Sequence, residues 1–248
     1  MHRSIGVTVR ILGISVTIGP GIVLGLLGLG VLSGLSGEFL AEWVALGFVA
    51  LLLHELGHAL AFRRYQVESS ITFWLLGGFT VPNDQEAASR LTDRQMVVAA
   101  LAGPVVGLVL GAVTVALGFA FRDAGTSIRM PLFLWIFVNL GWAIFNLLPI
   151  SSLDGGQALV HLAGAVFGRA GRAIGLATGI VASGLIAVLA AGAGLYSVAV
   201  IAVVFGLLNP AAYGALHAEL RPGGASWRSS DPVAEAGLGL ERDPSPPN

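Results

Sequence analysis

Hydrophobic and polar positions follow two patterns along this chain. From Ile5 to Ile18 the period is two: Ile5, Val7, Val9 and Ile11, then Ile14, Val16 and Ile18 beyond Gly13. That spacing predicts a β-hairpin. Six later stretches are continuously apolar, near Pro20–Leu35, Trp43–Phe62, Met96–Phe121, Leu132–Leu148, Ile174–Gly192 and Leu195–Tyr213. Each reaches or approaches the roughly 20 residues a helix needs to cross a bilayer. A second β-rich stretch, Ile71–Val81, is interrupted by Gly77-Gly78. Open strands do not lie in lipid, so the hairpin and this stretch are expected to pair at the cytoplasmic membrane interface or among the helices. The predicted fold is an all-α polytopic membrane protein of about six transmembrane helices with a small β-sheet.

Composition points the same way. Apolar residues make up 55% of the 248 and charged residues 11%, against about 25% charged in soluble domains. The 35 Gly fit closely packed membrane helices. A net charge of −1 offers no field for nucleic acid. The absence of Cys excludes disulfides, Cys-zinc sites and thiol chemistry. The beginning of the chain lacks the pattern of a cleavable signal peptide. With six alternating spans, Arg3, Arg10, Arg63, Arg64, Arg90, Arg94, Arg169, Arg172, Arg221 and Arg228 fall on one side, and Arg122 and Arg129 on the other. The positive-inside rule then puts both termini in the cytoplasm of a cell-membrane protein, with Glu38 and Glu42 in the first outside loop. Thr92-Asp93-Arg94-Gln95 has the form of a capping box and is expected to start the third span. Residues 1–220 are expected to form the membrane domain and 221–248, rich in Pro, Gly and Ser, a disordered cytoplasmic tail.

Two carboxylates sit where loops do not explain them. Glu55 lies in His54-Glu55-Leu56-Gly57-His58, near the middle of the second span. Residues i and i+4 share a helix face, so His54 and His58 can chelate one ion, with Glu55 next to a water on it. Two imidazoles and a carboxylate suit zinc, with a position left open for chemistry. Asp154 follows Asn146-Leu147-Leu148-Pro149 and precedes Gly155-Gly156. Pro149 and the glycines are expected to break the apolar run Leu132–Phe167. A carboxylate at such a break is either a third ligand or the N-cap of a helix starting near Gln157. Spacing alone does not decide between them.

The pair of motifs, HELGH and NLLPISSLDGG, resembles the site-2 protease family of intramembrane zinc metalloproteases (peptidase family M50), over roughly Ile5–Gly168. The resemblance implies that His54, His58 and Asp154 bind one Zn2+ per chain and that Glu55 is the catalytic base. It implies a minimal bacterial or archaeal member, without PDZ or CBS domains. Its expected substrates are single-span membrane proteins or remnant signal peptides. Ala102-Gly103-Pro104 also resembles a family motif, but Gly107 stands where the family usually has Asn.

An α-helical substrate hides its carbonyls in i→i−4 hydrogen bonds and must unwind to be cut. Ile71–Val81 is the candidate edge for holding the unwound stretch by strand addition, with Gly77 and Gly78 permitting close approach or merely turning the chain. Asn146 would donate to a developing oxyanion or satisfy broken-helix backbone. His161 is expected to pack at an interface and Asn139 to bond across helices. His2 and His217 are expected to be solvated, and Trp74 and Trp142 to be interface anchors or core. Gly175, Gly179, Ser183 and Gly184 are expected to pack helices. A metal-binding transporter would need internal repeats, which the sequence does not show, and a silent metal-bound scaffold leaves Glu55 without a purpose.

Overall fold

The computed structural model describes residues 6–75, 77–150 and 152–207, with residues 213, 214, 216, 217 and 220 beyond them. The expected tail, His2, Ser151 and part of the sixth expected span lie outside the described residues.

The period-two segment forms β1 (Val7–Ile11) and β2 (Ile14–Ile18), antiparallel, with Val9 opposite Val16. Their turn uses positive φ at Leu12 and Gly13 (52° and 81°). It is tied down by Arg63, whose guanidinium donates to the Leu12 carbonyl. The second β-rich stretch is a hairpin rather than a single interrupted strand: β3 (Ser69–Trp74) turns back into β4 (Gly77–Pro82). Gly77 and Gly78 therefore belong to a strand. β2 and β3 pair in parallel, which requires the long crossover through the first two helices. The sheet order β1-β2-β3-β4 places β4 at one edge. Its inner face packs Ile14, Val16, Ile71 and Phe73 against Leu51, Leu56 and Ala59 of the second helix.

Helix α1 (Gly21–Leu32) has 12 residues, about 18 Å at 1.5 Å per residue, too short to cross a bilayer. Helix α2 (Gly37–Arg64) is longer than the expected span and takes Glu38 and Glu42 into its first turns, not into a loop. Glu38 at its start and Arg63 and Arg64 at its end complement the helix dipole. After the short α3 (Gln85–Ser89), α4 (Asp93–Ala120) opens with the capping box read from the sequence: Thr92 Oγ1 accepts from Gln95 N–H, and the Gln95 side chain accepts from Thr92 N–H. Helix α5 (Thr126–Asn146) returns against α4, which also packs on α2. Val105, Val109 and Val113 are exposed at four-residue spacing, an apolar outer face suited to lipid.

Helix α6 (Asp154–Gly192) reverses within its length. Gly168 has φ 60°, ψ −139°. A methyl group added to Gly171 would overlap the Ala163 carbonyl, and one at Gly175 would lie 2.6 Å from Val160 Cα. In a straight helix Gly175 and Val160 would be about 22 Å apart, so segments 154–167 and 169–192 fold back on each other. Gly155 and Gly156 do not break the chain; they lie in the first turn of α6, which starts before Gln157. Gly155 packs against the Leu147 carbonyl. The break lies in residues 147–153, around Pro149. Helix α7 (Tyr196–Ala202) continues into a π-helical turn, Val203–Leu207, where Gly206 packs onto Ser183.

Four helices among the described residues (α2, α4, α5 and α6) are long and apolar enough to cross a membrane. Of the six expected spans, the first is too short, and only 195–207 and a few isolated positions of the sixth are described.

Candidate metal centre

His54 and His58 project from adjacent turns of α2, and both are buried. Asp154 is brought to them by the reversal of the chain between α5 and α6. It is the first residue of α6, and the N-cap is Leu153, so the carboxylate is not used as a cap. His54 Nε2 lies 3.0 Å from Asp154 Oδ2, His58 Nε2 lies 3.4 Å from the same oxygen, and the two Nε2 atoms are 3.2 Å apart. Zinc held tetrahedrally by ligands at about 2.0–2.1 Å has those ligands roughly 3.3 Å from each other. The three atoms have that spacing, and the donor set is the one zinc favours.

The surroundings support the fit. His58 Nδ1 is 2.7 Å from the Ala99 carbonyl. A carbonyl only accepts, so Nδ1 carries a proton, and in the neutral imidazole Nε2 presents its lone pair, as in metal-bound imidazoles oriented by a backbone oxygen. Gly103 on α4 fills the same role by omission. A methyl group there would overlap His58 Nε2 and come within 2.8 Å of His54 Nε2. The Ala102-Gly103-Pro104 motif thus carries a residue that the site requires, one that reading for ligands alone passes over. Gly107, one turn further, is buried against α5: a Cβ would lie 3.0 Å from both the Asn139 carbonyl and Ala143 Cβ. A larger residue there would press on α5, which would have to give by a few tenths of an ångström.

Glu55 is buried beside the cluster and is held by β4. Thr80 Oγ1 lies 2.8 Å from Glu55 Oε2 and 3.1 Å from the Glu55 carbonyl. Gly78, two residues earlier on the same face, leaves space for the Glu55 side chain: a Cβ there would meet Glu55 Cγ at 2.8 Å. Thr80 gave no signal in the sequence, because its partner is on another element. Gly77, at φ 150°, approaches the ring of Trp142, which is half-buried. Trp74 is exposed at the tip of the β3–β4 hairpin.

The other expected polar residues take different partners. Asn146 is buried, and its amide donates to the Trp142 carbonyl one turn back. Asn139 does the same with Trp135, within its own helix and not between helices. His161 is buried, as expected of a packed residue, and it joins an ionic cluster. His161 Nδ1 is 2.7 Å from Asp93 Oδ1, and Arg172 Nη1 is 3.0 Å from Asp93 Oδ2. Ser183 donates to the Gly179 carbonyl and Gly175 packs on Val160, so these small residues do serve packing. His217 is exposed.

A bundle of membrane-length helices with an HExxH histidine pair and a carboxylate converging inside it defines a class: membrane-embedded proteins built around a metallopeptidase motif. The chain belongs to peptidase family M50, whose profile matches residues 43–125 and 120–191, more than half of its length. Rip3 of Mycobacterium tuberculosis, a candidate zinc metalloprotease by its name, is 35% identical over 156 residues. Protein sll0528 of Synechocystis, named in the same terms, is 35% identical over 138 residues. Those matches cover 58% and 53% of this chain but only 38% and 34% of the relatives, so the chain spans little more than a third of their length. The site-2 protease of Methanocaldococcus jannaschii has a similar fold. The TM-score is 0.56 at 22% identity, over 90% of this chain and 98% of that one.

Proposed function

We propose that this protein is an intramembrane zinc metalloendopeptidase that hydrolyses peptide bonds in or near the transmembrane segments of other membrane proteins. The observation that carries the reading is the convergence of His54 Nε2, His58 Nε2 and Asp154 Oδ2 within 3.4 Å inside the bundle. These three residues would hold one zinc ion, which when bound would supply Lewis acidity toward water and a peptide carbonyl. Glu55, held by Thr80, takes the proton of the attacking water and passes it to the leaving amine. Burial of the site excludes bulk water from competing dipoles, so a charge placed there acts strongly on the reacting atoms.

A helical substrate presents no free carbonyl, so a stretch of it must unwind. The edge strand β4 offers a row of backbone groups for the unwound stretch, next to Glu55. Gly77 and Gly78 keep that strand free of side chains at the point of approach. Asn146 has a second amide N–H beyond the one donated to the Trp142 carbonyl, and that N–H would serve substrate or the oxyanion. The substrates in this reading are single-span membrane proteins or remnant signal peptides. Arg63, Arg64, Arg90 and Arg94 gather at the connection from α2 to α4, against Arg122 and Arg129 at that from α4 to α5, which favours a multi-pass protein of the cell membrane with the α2–α4 side in the cytoplasm.

The test is zinc per purified chain and cleavage of a panel of single-span polypeptides, for wild type, Asp154→Asn and Glu55→Gln. About one zinc in wild type, lost in Asp154→Asn, with turnover lost but zinc kept in Glu55→Gln, supports the reading. No zinc in wild type after zinc is offered back, or full turnover in Glu55→Gln, overturns it.

A further inference from the structure

We propose that Thr80 is a positioning residue for Glu55: its hydroxyl donates to the carboxylate and holds it in the orientation in which it serves as base. The proposal rests on the metallopeptidase reading above and adds a residue that neither motif contains.

The strand register makes the contact possible. Gly78 pairs with Phe73 and Thr80 with Ile71, and both partners are fully buried against α2. Side chains alternate along a strand, so Gly78 and Thr80 face α2 as well, directly over Glu55. Each does a different thing there. Gly78 makes room, since a Cβ would lie 2.8 Å from Glu55 Cγ and 2.6 Å from the Phe73 ring. Thr80 supplies the donor, 2.8 Å from Oε2. A carboxylate only accepts, so the hydroxyl proton points to Glu55. The Glu55 carbonyl, 3.1 Å away, is a second acceptor for the same hydroxyl, and the carboxylate oxygen is the nearer of the two at 2.8 Å. Both contacts tie Thr80 to Glu55.

Glu55 has three rotatable side-chain bonds and is embedded in a helix whose neighbouring residues are the two imidazoles. Without an anchor it has several rotamers to choose from, only some of which present an oxygen to a water at the metal cluster. One hydrogen bond from a rigid strand selects among them. Because β4 is the edge of the sheet, the same strand that would receive a substrate also holds the base.

The test uses the full chain in detergent, as wild type, Thr80→Val, Thr80→Ser and Glu55→Gln. Val keeps the branched shape and the strand preference but removes the donor; Ser keeps the donor. The Glu55 carboxyl band is identified by infrared difference between wild type and Glu55→Gln. It is expected to shift in Thr80→Val and to return in Thr80→Ser, with zinc content the same in all. On a single-span polypeptide that wild type cleaves, kcat is expected to fall about ten-fold or more in Thr80→Val, the factor for losing one hydrogen bond to a charged group. KM is expected to stay within about two-fold, as for an interaction made in the transition state, and Thr80→Ser to restore kcat. An unshifted band, or an unchanged kcat in Thr80→Val, overturns the proposal. If Glu55→Gln itself turns over normally, the base assignment falls instead, which separates the two failures. Should Thr80→Val not fold, Thr80→Ala carries the same comparisons.

Discussion

Gly103 on α4 lies against His58 on α2 so closely that a single methyl group would overlap the imidazole Nε2. The atom that would be struck is the one facing His54 and Asp154. Helix α4 is therefore the wall of the metal cluster, and its glycine sets how near that wall stands.

Gly103→Ala is expected to weaken zinc binding by about 10–100-fold, the range for disturbing groups that orient metal ligands. Zinc per chain and competition against a chelator of known affinity measure it. Gly141→Ala on α5 is the control. Nothing lies within 4 Å of a Cβ at that position, so zinc is expected to be unchanged.

What the sequence makes legible here follows from distance along the chain. The His54–His58 pair is visible because chelation across one helical turn needs only local spacing. Asp154 meets the two imidazoles only because the chain between α5 and α6 brings it back to α2, so spacing alone leaves ligand and cap evenly matched. The period-two strands are visible, but the β3–β4 turn is not: Gly77-Gly78 looks like an interruption, and the chain turns just before it. The reversal at Gly168 is legible as a boundary, since the apolar run ends at Phe167 and Arg169 and Arg172 precede the next span at Ile174; its tightness, a turn centred on one residue of positive φ, is not. Gly155-Gly156 mislead: two glycines suggest a break, but both lie in the first turn of α6, where Gly155 permits close packing against Leu147. Thr80 is invisible because nothing local distinguishes a threonine that meets a glutamate 25 residues away.

Gly78→Ala is expected to displace Glu55 without touching a metal ligand. The added methyl would meet both Glu55 Cγ and the Phe73 ring below 3 Å. Overpacking of this kind typically costs about 1–3 kcal/mol. A lowered unfolding midpoint together with retained zinc and reduced cleavage is the expected outcome. Loss of zinc would show that the strand also supports the histidines.

Asp93 joins the start of α4 to both segments of α6, through His161 and Arg172. Two elements of the metal cluster depend on that register: Ala99 and Gly103 lie further along α4, and Asp154 heads α6. Asp93 and Arg172 keep some exposure, 19% and 15% of their side chains. Asp93→Ala is therefore expected to destabilise the fold by about 2–3 kcal/mol, less than breaking a fully buried pair. Thermal unfolding in detergent measures it, and Asp93→Asn, which keeps an acceptor for Arg172, is expected to lose less.

Ligands and base are separable by metal-linked stability, without any substrate. A metal that binds only the folded chain stabilises it by about 2.7 kcal/mol when present at a hundred times its Kd. Wild type is expected to gain thermal stability on zinc addition and to lose it with a chelator. Asp154→Asn removes one of the three converging atoms and is expected to respond far less. His58→Ala removes another and vacates the contact to the Ala99 carbonyl, so its response is expected to vanish and its metal-free stability to fall as well. Glu55→Gln keeps size and helix position, and its side chain still accepts from Thr80, so the zinc response is expected to match wild type. A Glu55→Gln chain that no longer responds would make Glu55 a ligand rather than a base. A response of equal size in all four proteins would place the zinc elsewhere, away from the cluster that α2 and α6 build.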